Sequence, residues 1–149
     1  MSDTRDHYIL FTVAGTTYAL RSHEVAHVEM AEDVTRVPNA APFVDGVVFS
    51  RGQVVPAVNM RARFGFERAP RDLRTRLLVV QSGGRTVGLL VDACREFLTI
   101  SSAAVQTPGE AMAGAGARYI TGIATLDDRL VMILSLGALL DSDEPILAA

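Results

Sequence analysis

The chain has no lysine and no tryptophan, one cysteine, and only 6% aromatic residues among its 149. Without lysine there is neither a Schiff-base amine nor a phosphate-loop ammonium. Cys94, being alone, forms no internal disulfide. Long apolar runs are also missing. The most apolar one, Leu130 to Leu140, spans eleven residues and is interrupted by Ser135 and Gly137, against about 20 needed to cross a bilayer. At the N-terminus Asp3, Arg5, Asp6 and His7 stand where an export signal needs an apolar core, so the expected compartment is the cytoplasm.

What is present is a globular composition, 49% hydrophobic and 21% charged. A chain of this size removes roughly 70% of its unfolded surface from water, enough for a core without disulfides or a structural metal. The net charge of −3 is unevenly spread: between Arg61 and Arg76 six arginines face only Glu67 and Asp72, which makes that stretch +4 and leaves −7 elsewhere. Gly65 and Pro70 lie within it, and it reads as a surface crossover or short helix.

Four hairpins are legible from apolar runs flanking turn residues. They are Tyr8–Val13 with Tyr18–Leu20 around Ala14-Gly15, Gly46–Phe49 with Val54–Met60 around Arg51-Gly52, Leu77–Val80 with Val87–Val91 around Gly83-Gly84, and Ile120–Leu126 with Leu130–Leu134 around Asp127-Asp128. They form two related pairs. At an offset of 69, Gly15, Thr17 and Leu20 meet Gly84, Thr86 and Leu89; at 76, Gly46, Val55 and Ala62 meet Gly122, Val131 and Ala138. A duplicated unit of about 70 residues implies an all-β molecule of two small barrels packed on an apolar seam. The barrels are expected over roughly 8–64 and 77–140, joined by the crossover 61–76, with terminal strands free to exchange between them. Ser135 is placed to cap a short helix over Leu136–Leu140, the alanine and glycine loop Ala111–Ala117 reads as mobile, and Pro145 ends regular structure.

The chemistry-bearing residues are sparse. His7, His23 and His27 have no zinc-ligand spacing with one another or with Cys94. No phosphate loop, nucleophile elbow or dinucleotide fingerprint appears, and Ser22-His23-Glu24 alternate across a strand rather than meeting as a triad. No catalytic residue, metal or cofactor is expected. Cys94 reads as a small buried hydrophobe, its counterpart in the first half being Val25. Arg51, at the tip of a hairpin with apolar flanks, is either an exposed turn residue or a planar fork presented to a carboxylate.

In order along the chain, Phe11–Leu20, Val25-Ala26-His27-Val28, Val34–Pro38 leading to Pro42–Val47, Arg51–Arg61, Val87–Asp92 and Tyr119–Ile123 resemble the CheW-like adaptor domain of bacterial chemosensory systems. The resemblance runs from about Tyr8 to Leu140 and implies two five-stranded SH3-like barrels. It also implies a non-enzymatic scaffold, peripheral to the membrane. Its partners would be the regulatory domain of a CheA-type histidine kinase and the cytoplasmic tip of methyl-accepting chemoreceptors, with no nucleic acid and no membrane insertion. Carried over by position, Val25 and Val28 belong to the receptor-facing strand, Phe43, Asp45 and Gly46 to the kinase-facing loop and strand start, and Arg51 with Gly52 to the family's Arg-Gly turn. The glutamate that usually accompanies that arginine is His27 here, and Glu29, two residues on and on the same strand face, is the alternative carboxylate. A CheW-like protein that occupies array positions without coupling, or a small-barrel nucleic-acid binder using the Arg61–Arg76 stretch, are the other readings.

Overall fold

The computed structural model describes residues 4–31, 33–109 and 117–141. Pro145 and nearly all of the alanine and glycine loop lie outside them. Eleven strands are present among the described residues: β1 (Arg5–Val13), β2 (Thr16–Arg21), β3 (Val25–Met30), β4 (Val44–Ser50), β5 (Gln53–Asn59), β6 (Arg76–Ser82), β7 (Arg85–Val91), β8 (Ala93–Ser101), β9 (Val105–Gln106), β10 (Ile120–Leu126) and β11 (Arg129–Leu134). Two one-turn helices, α1 (Met60–Arg63) and α2 (Leu136–Leu140), follow β5 and β11. Asn59 and Ser135 cap them, each side chain accepting from the amide three residues on.

The strands form a six-stranded sheet, β8-β1-β2-β11-β10-β9, and a five-stranded sheet, β3-β6-β7-β5-β4. One sheet exceeds the expected five because the short β9 adds to the free edge of β10. Each sheet draws strands from both halves of the chain. The exchange is reciprocal: β2 pairs in parallel with β11 at Ala19↔Ile133, and β7 pairs in parallel with β5 at Gly88↔Ala57. These positions are related by the same offsets, 69 and 76, that relate the repeats in sequence.

Three apolar clusters follow from the period-2 alternation of the strands. On β1, Tyr8 and Leu10 point into one cluster with Ala19, Ile100, Ala124, Val131 and Ile133, inside the six-stranded sheet. Ile9, Phe11 and Val13, on the other face, enter the seam. On β6, Leu77 and Val79 point into the five-stranded sheet with Val48, Val55, Ala57 and Leu90, while Leu78 and Val80 enter the seam. Both strands are therefore buried on both faces, which explains why they read as continuous apolar runs. An aromatic column of Phe11, Tyr18, Phe64 and Tyr119 crosses the seam with centroid separations of 6.1, 4.8 and 5.8 Å.

Charged side chains from the crossover latch the seam at its rim. Arg61 grips Asp92 from Nε and Nη2, the latter at 2.6 Å, while Asp92 also accepts the Ala14 amide at 2.9 Å. Burial works against ionised Asp92, but the Arg61 fork and the Ala14 amide outweigh it and hold its carboxyl below the usual range. Arg63 lies 4.3 Å above the Phe43 ring and donates to the Leu139 carbonyl at the end of α2. The crossover runs over the surface, as its composition suggests, and is tied down at Arg61, Arg63 and Arg68.

The bulge in β4 depends on Gly46. Its φ is +148°, and a Cβ added there would stand 2.1 Å from the Thr35 carbonyl oxygen, on the segment bridged to Val47. Gly122 occupies the equivalent bulge of β10. Gly46→Ala should destabilise the protein by at least about 2 kcal/mol in urea unfolding. Gly15→Ala, at a turn with φ +83° and open space around it, should cost about 1 kcal/mol. Equal losses would contradict the close-approach account.

Candidate functional site

The residues singled out from the sequence fall into three places. Val25 and Phe43 are buried in the seam, and Val28 packs against it half-buried. Gly46 is buried at the bulge. These four shape the surface from beneath, and Phe43 presents its ring to Arg63 rather than to solvent. Asp45, at the start of β4, has both carboxylate oxygens engaged, one by Asn59 Nδ2 at 2.9 Å and the other by Arg68 Nε at 2.8 Å. His27, Arg51 and Gly52 gather at the far end of β4. Asp45 and Arg51 are six positions apart, about 20 Å along a strand, so they belong to different ends of the sheet.

The Arg51 end is built by closure. β3 and β4 are the two edges of the five-stranded sheet, yet side chains from them touch, so the sheet curls until its edges meet. His27 Nε2 lies 2.7 Å from Glu29 Oε2 and 3.1 Å from Ser50 Oγ, and the Ser50 hydroxyl donates to the same Glu29 oxygen. An ionised carboxylate only accepts, which assigns the proton on that ring nitrogen to His27. The Ser50 hydrogen bond is the main cause holding the Glu29 carboxyl below its ordinary range; His27 adds to it, and Arg51 contributes through its charge. Ser50 is the buried polar member, at 4% exposure.

Beyond this network the β4–β5 turn projects. Arg51 and Gly52 both have positive φ, +48° and +80°, as a two-residue hairpin turn of this hand demands. For an L-residue other than glycine or asparagine that conformation costs roughly 1 kcal/mol. Because the turn is two residues long, Phe49 sits directly opposite Val54, and the buried Val48 and Val55 put both on the outer face. Phe49 is 75% exposed, Val54 61%, and Met30 on β3 55%. Beside them a cavity of about 510 Å³ is lined by Glu29, Met30, Asp33, Val48, Phe49 and Leu77. Scattered exposed hydrophobes are ordinary, but three on one sheet end around an arginine have the composition of a docking hot spot.

Phe49, Val54, Met30 and Ser50 were missed by reading motifs. The turn length at Arg51-Gly52 carried the signal for the first two, since it fixes which residues pair and therefore which face outward. Elsewhere the chemistry is quiet. Burial pushes the Cys94 thiol up, away from reactivity. Among the described residues no three His, Cys, Asp or Glu side chains form a metal-binding group, and no helix is long and apolar enough to cross a membrane. Several arginines of the crossover make internal contacts: Arg61 with Asp92, Arg68 with Asp45, Arg74 with Asp72, and Arg76 with the Leu73 carbonyl.

Ser50→Ala should bring the Glu29 pKa back up toward the ordinary carboxylate value, read by NMR titration of its side-chain carboxyl. A carboxyl whose folded pKa is depressed adds stability above its unfolded pKa and loses it as pH falls through the folded one. The wild type should therefore exceed Ser50→Ala in stability at neutral pH by more than it does in acid; a pH-independent gap would contradict the assignment.

This geometry has close relatives. The chain is 27% identical over 137 residues to the chemotaxis protein CheW of Klebsiella aerogenes, covering 92% of this chain and 82% of the relative. To the chemotaxis protein CheW of Rhizobium meliloti it is 29% identical over 136 residues, covering 91% and 88%. The crystal structure of the scaffolding protein TtCheW from Thermoanaerobacter tengcongensis shares the fold, with a TM-score of 0.86 at 24% identity over 97% of this chain and 98% of that one. The CheW-like domain family matches residues 7–144, and the chain belongs to that family.

Proposed function

We propose that the protein is a non-enzymatic adaptor of a bacterial chemosensory array, joining the regulatory domain of a CheA-type histidine kinase to the cytoplasmic tip of methyl-accepting chemoreceptors. The observation that carries this is the CheW-like domain spanning 7–144, on a molecule whose chemistry is concentrated in an exposed apolar sheet end rather than in a cleft with paired acids and bases. Such an adaptor acts by raising the effective concentration of kinase beside receptor and by fixing their relative geometry. In this reading Arg51, Gly52, His27 and the neighbouring Phe49 and Val54 meet the kinase domain or the receptor directly. Val25, Val28, Phe43 and Gly46 shape the surface from beneath, and Asp45, at the opposite end of β4, belongs to a second contact near the start of that strand. The place of action is the cytoplasm, against membrane-embedded receptors, and no cofactor takes part.

A polynucleotide-binding role receives less support, because the arginines that suggested it are largely engaged with Asp92, Asp45, Asp72 and backbone carbonyls. A rigid backbone-tracking groove needs cations free to meet phosphates.

Titrating the protein against the purified regulatory domain of each CheA-type kinase of its organism should give saturable binding to one of them. Adding receptor-containing membranes should then raise that kinase's autophosphorylation several-fold. Saturable binding without activation would identify a member that fills array positions without coupling. Absence of binding to every such domain would overturn the adaptor reading.

A further inference from the structure

The irregularity in β8 brings an arginine to a cavity. Leu10 on β1 faces Glu96 and Phe11 faces Cys94, so Arg95, between them, has no residue opposite it. A bulge re-aims the side chain it leaves unpaired, and Arg95 lines a cavity of about 330 Å³ beside β1 and β2. The first half of the chain carries the same bulge, where Val80 faces Val25 and Val79 faces His27, leaving Ala26 without a residue opposite. The offset of 69 relates the two, so Arg95 stands where Ala26 does and Glu96 where His27 does. Both halves share the bulge, but only one puts a guanidinium on it.

The surroundings of Arg95 are cationic and rich in donors. Arg74 comes to the cavity from the crossover and Arg129 from β11, and with Glu96 they give the lining a charge of +2. Glu96 is already neutralised by Arg129 in a two-pronged pair, Nη1 to Oε1 at 2.7 Å and Nη2 to Oε2 at 2.6 Å, which leaves the Arg129 Nε–H outside it. Arg74 gives its Nη2 to Asp72 in a pair whose side chains are both more than half exposed, a contact of little energy that rearranges readily. Among the described residues Arg95 has no hydrogen bond and no ion pair. Thr12 and Thr17 are register partners on β1 and β2, hence on one face, and both line the cavity. Neither hydroxyl has a hydrogen bond among the described residues. The buried Leu10 and Phe11 back the site. Asp127 and Asp128 attract Arg129 through their charge but are not part of the lining.

We propose that this cavity binds the phosphate group of a small phosphomonoester, with Arg95 as the principal contact and Arg74, the Arg129 Nε–H and the two threonine hydroxyls completing the donors. A phosphate dianion matches the charge of the lining and offers three terminal oxygens, so it takes donors from several elements at once. A carboxylate has two oxygens in one plane and is satisfied by a single fork, as Glu96 is. The volume lies in the range of small-ligand pockets, which leaves room for an organic part beside the phosphate. The site stands apart from the adaptor reading, and either can fail without the other.

The test is an NMR titration of the full chain with inorganic phosphate, phenyl phosphate and adenosine monophosphate, adenosine serving as the control and sodium chloride holding the ionic strength constant. The Arg95 side-chain Nε–H and the Thr12 and Thr17 amides should shift saturably with each phosphate and stay unmoved by adenosine. Arg95→Ala should keep the wild-type unfolding midpoint and weaken binding about tenfold or more, the loss expected for a charge-assisted hydrogen bond. Arg95→Lys should fall in between, because it keeps the charge without the fork, and Thr17→Val should lose several-fold. Arg85→Ala, at an exposed arginine of β7 outside the lining, should bind as wild type does. Equal affinity for phosphate and its esters would give the phosphate group the whole of recognition, and tighter esters would place their organic part in the cavity; both uphold the site. Shifts that do not saturate with any of the three phosphates, or affinity unchanged in both Arg95→Ala and Thr17→Val, would overturn it.

Discussion

The double-sided burial of β1 and β6 is the constraint on which the rest depends. Each strand gives alternate side chains to the inside of its own sheet and to the seam, so neither can leave without opening two of the three apolar clusters. Fully burying a single Leu, Phe or Val side chain contributes about 1.5–3 kcal/mol, and more than twenty buried residues line the seam alone. Parallel pairing of β2 with β11 and of β5 with β7 stitches the halves together from within. The seam holds the β3 and β4 edges at one fixed separation, and that separation lets His27 reach Ser50.

On this symmetric scaffold the two ends carry different chemistry. The end bearing Glu96 and Arg129 is closed by an ion pair, with the acidic turn Asp127-Asp128 beside it. The other is closed by an imidazole, a hydroxyl and a carboxylate, leaving Arg51 outside the network. An adaptor needs faces that are not interchangeable, since identical ends would bind the same partner twice. Replacing glutamate by histidine at one of two equivalent positions is an economical way to break the equivalence, because the strand, its bulge and its register remain the same.

The hairpins, the duplication and the capped helix after β11 were legible because local chemistry encodes them. Gly83-Gly84 adopts the positive φ values its composition suggests, and Ser135 caps α2 as its position implies. The length of β8 was not legible, since beyond Cys94 the run Arg95-Glu96-Phe97-Leu98 shows no period-2 alternation along an exposed sheet edge. Nor was the pairing of strands across the halves, which depends on packing between residues as distant as Ala19 and Ile133. At the site, Glu29 was accessible from strand periodicity, whereas Ser50 needed the curl of the whole sheet to bring β4 against β3. Phe43, which the resemblance puts on the loop near the kinase contact, lies buried with Arg63 over its ring.

Because each sheet takes strands from both halves, the halves make one folding unit, and the Arg51 end forms only when they are joined. Producing residues 1–70 and 71–149 separately and following the dispersion of their amide NMR signals tests it directly. Each alone should show the narrow dispersion of an unfolded chain, and mixing them should restore the native spectrum. Cooperative folding of either fragment by itself would contradict the account.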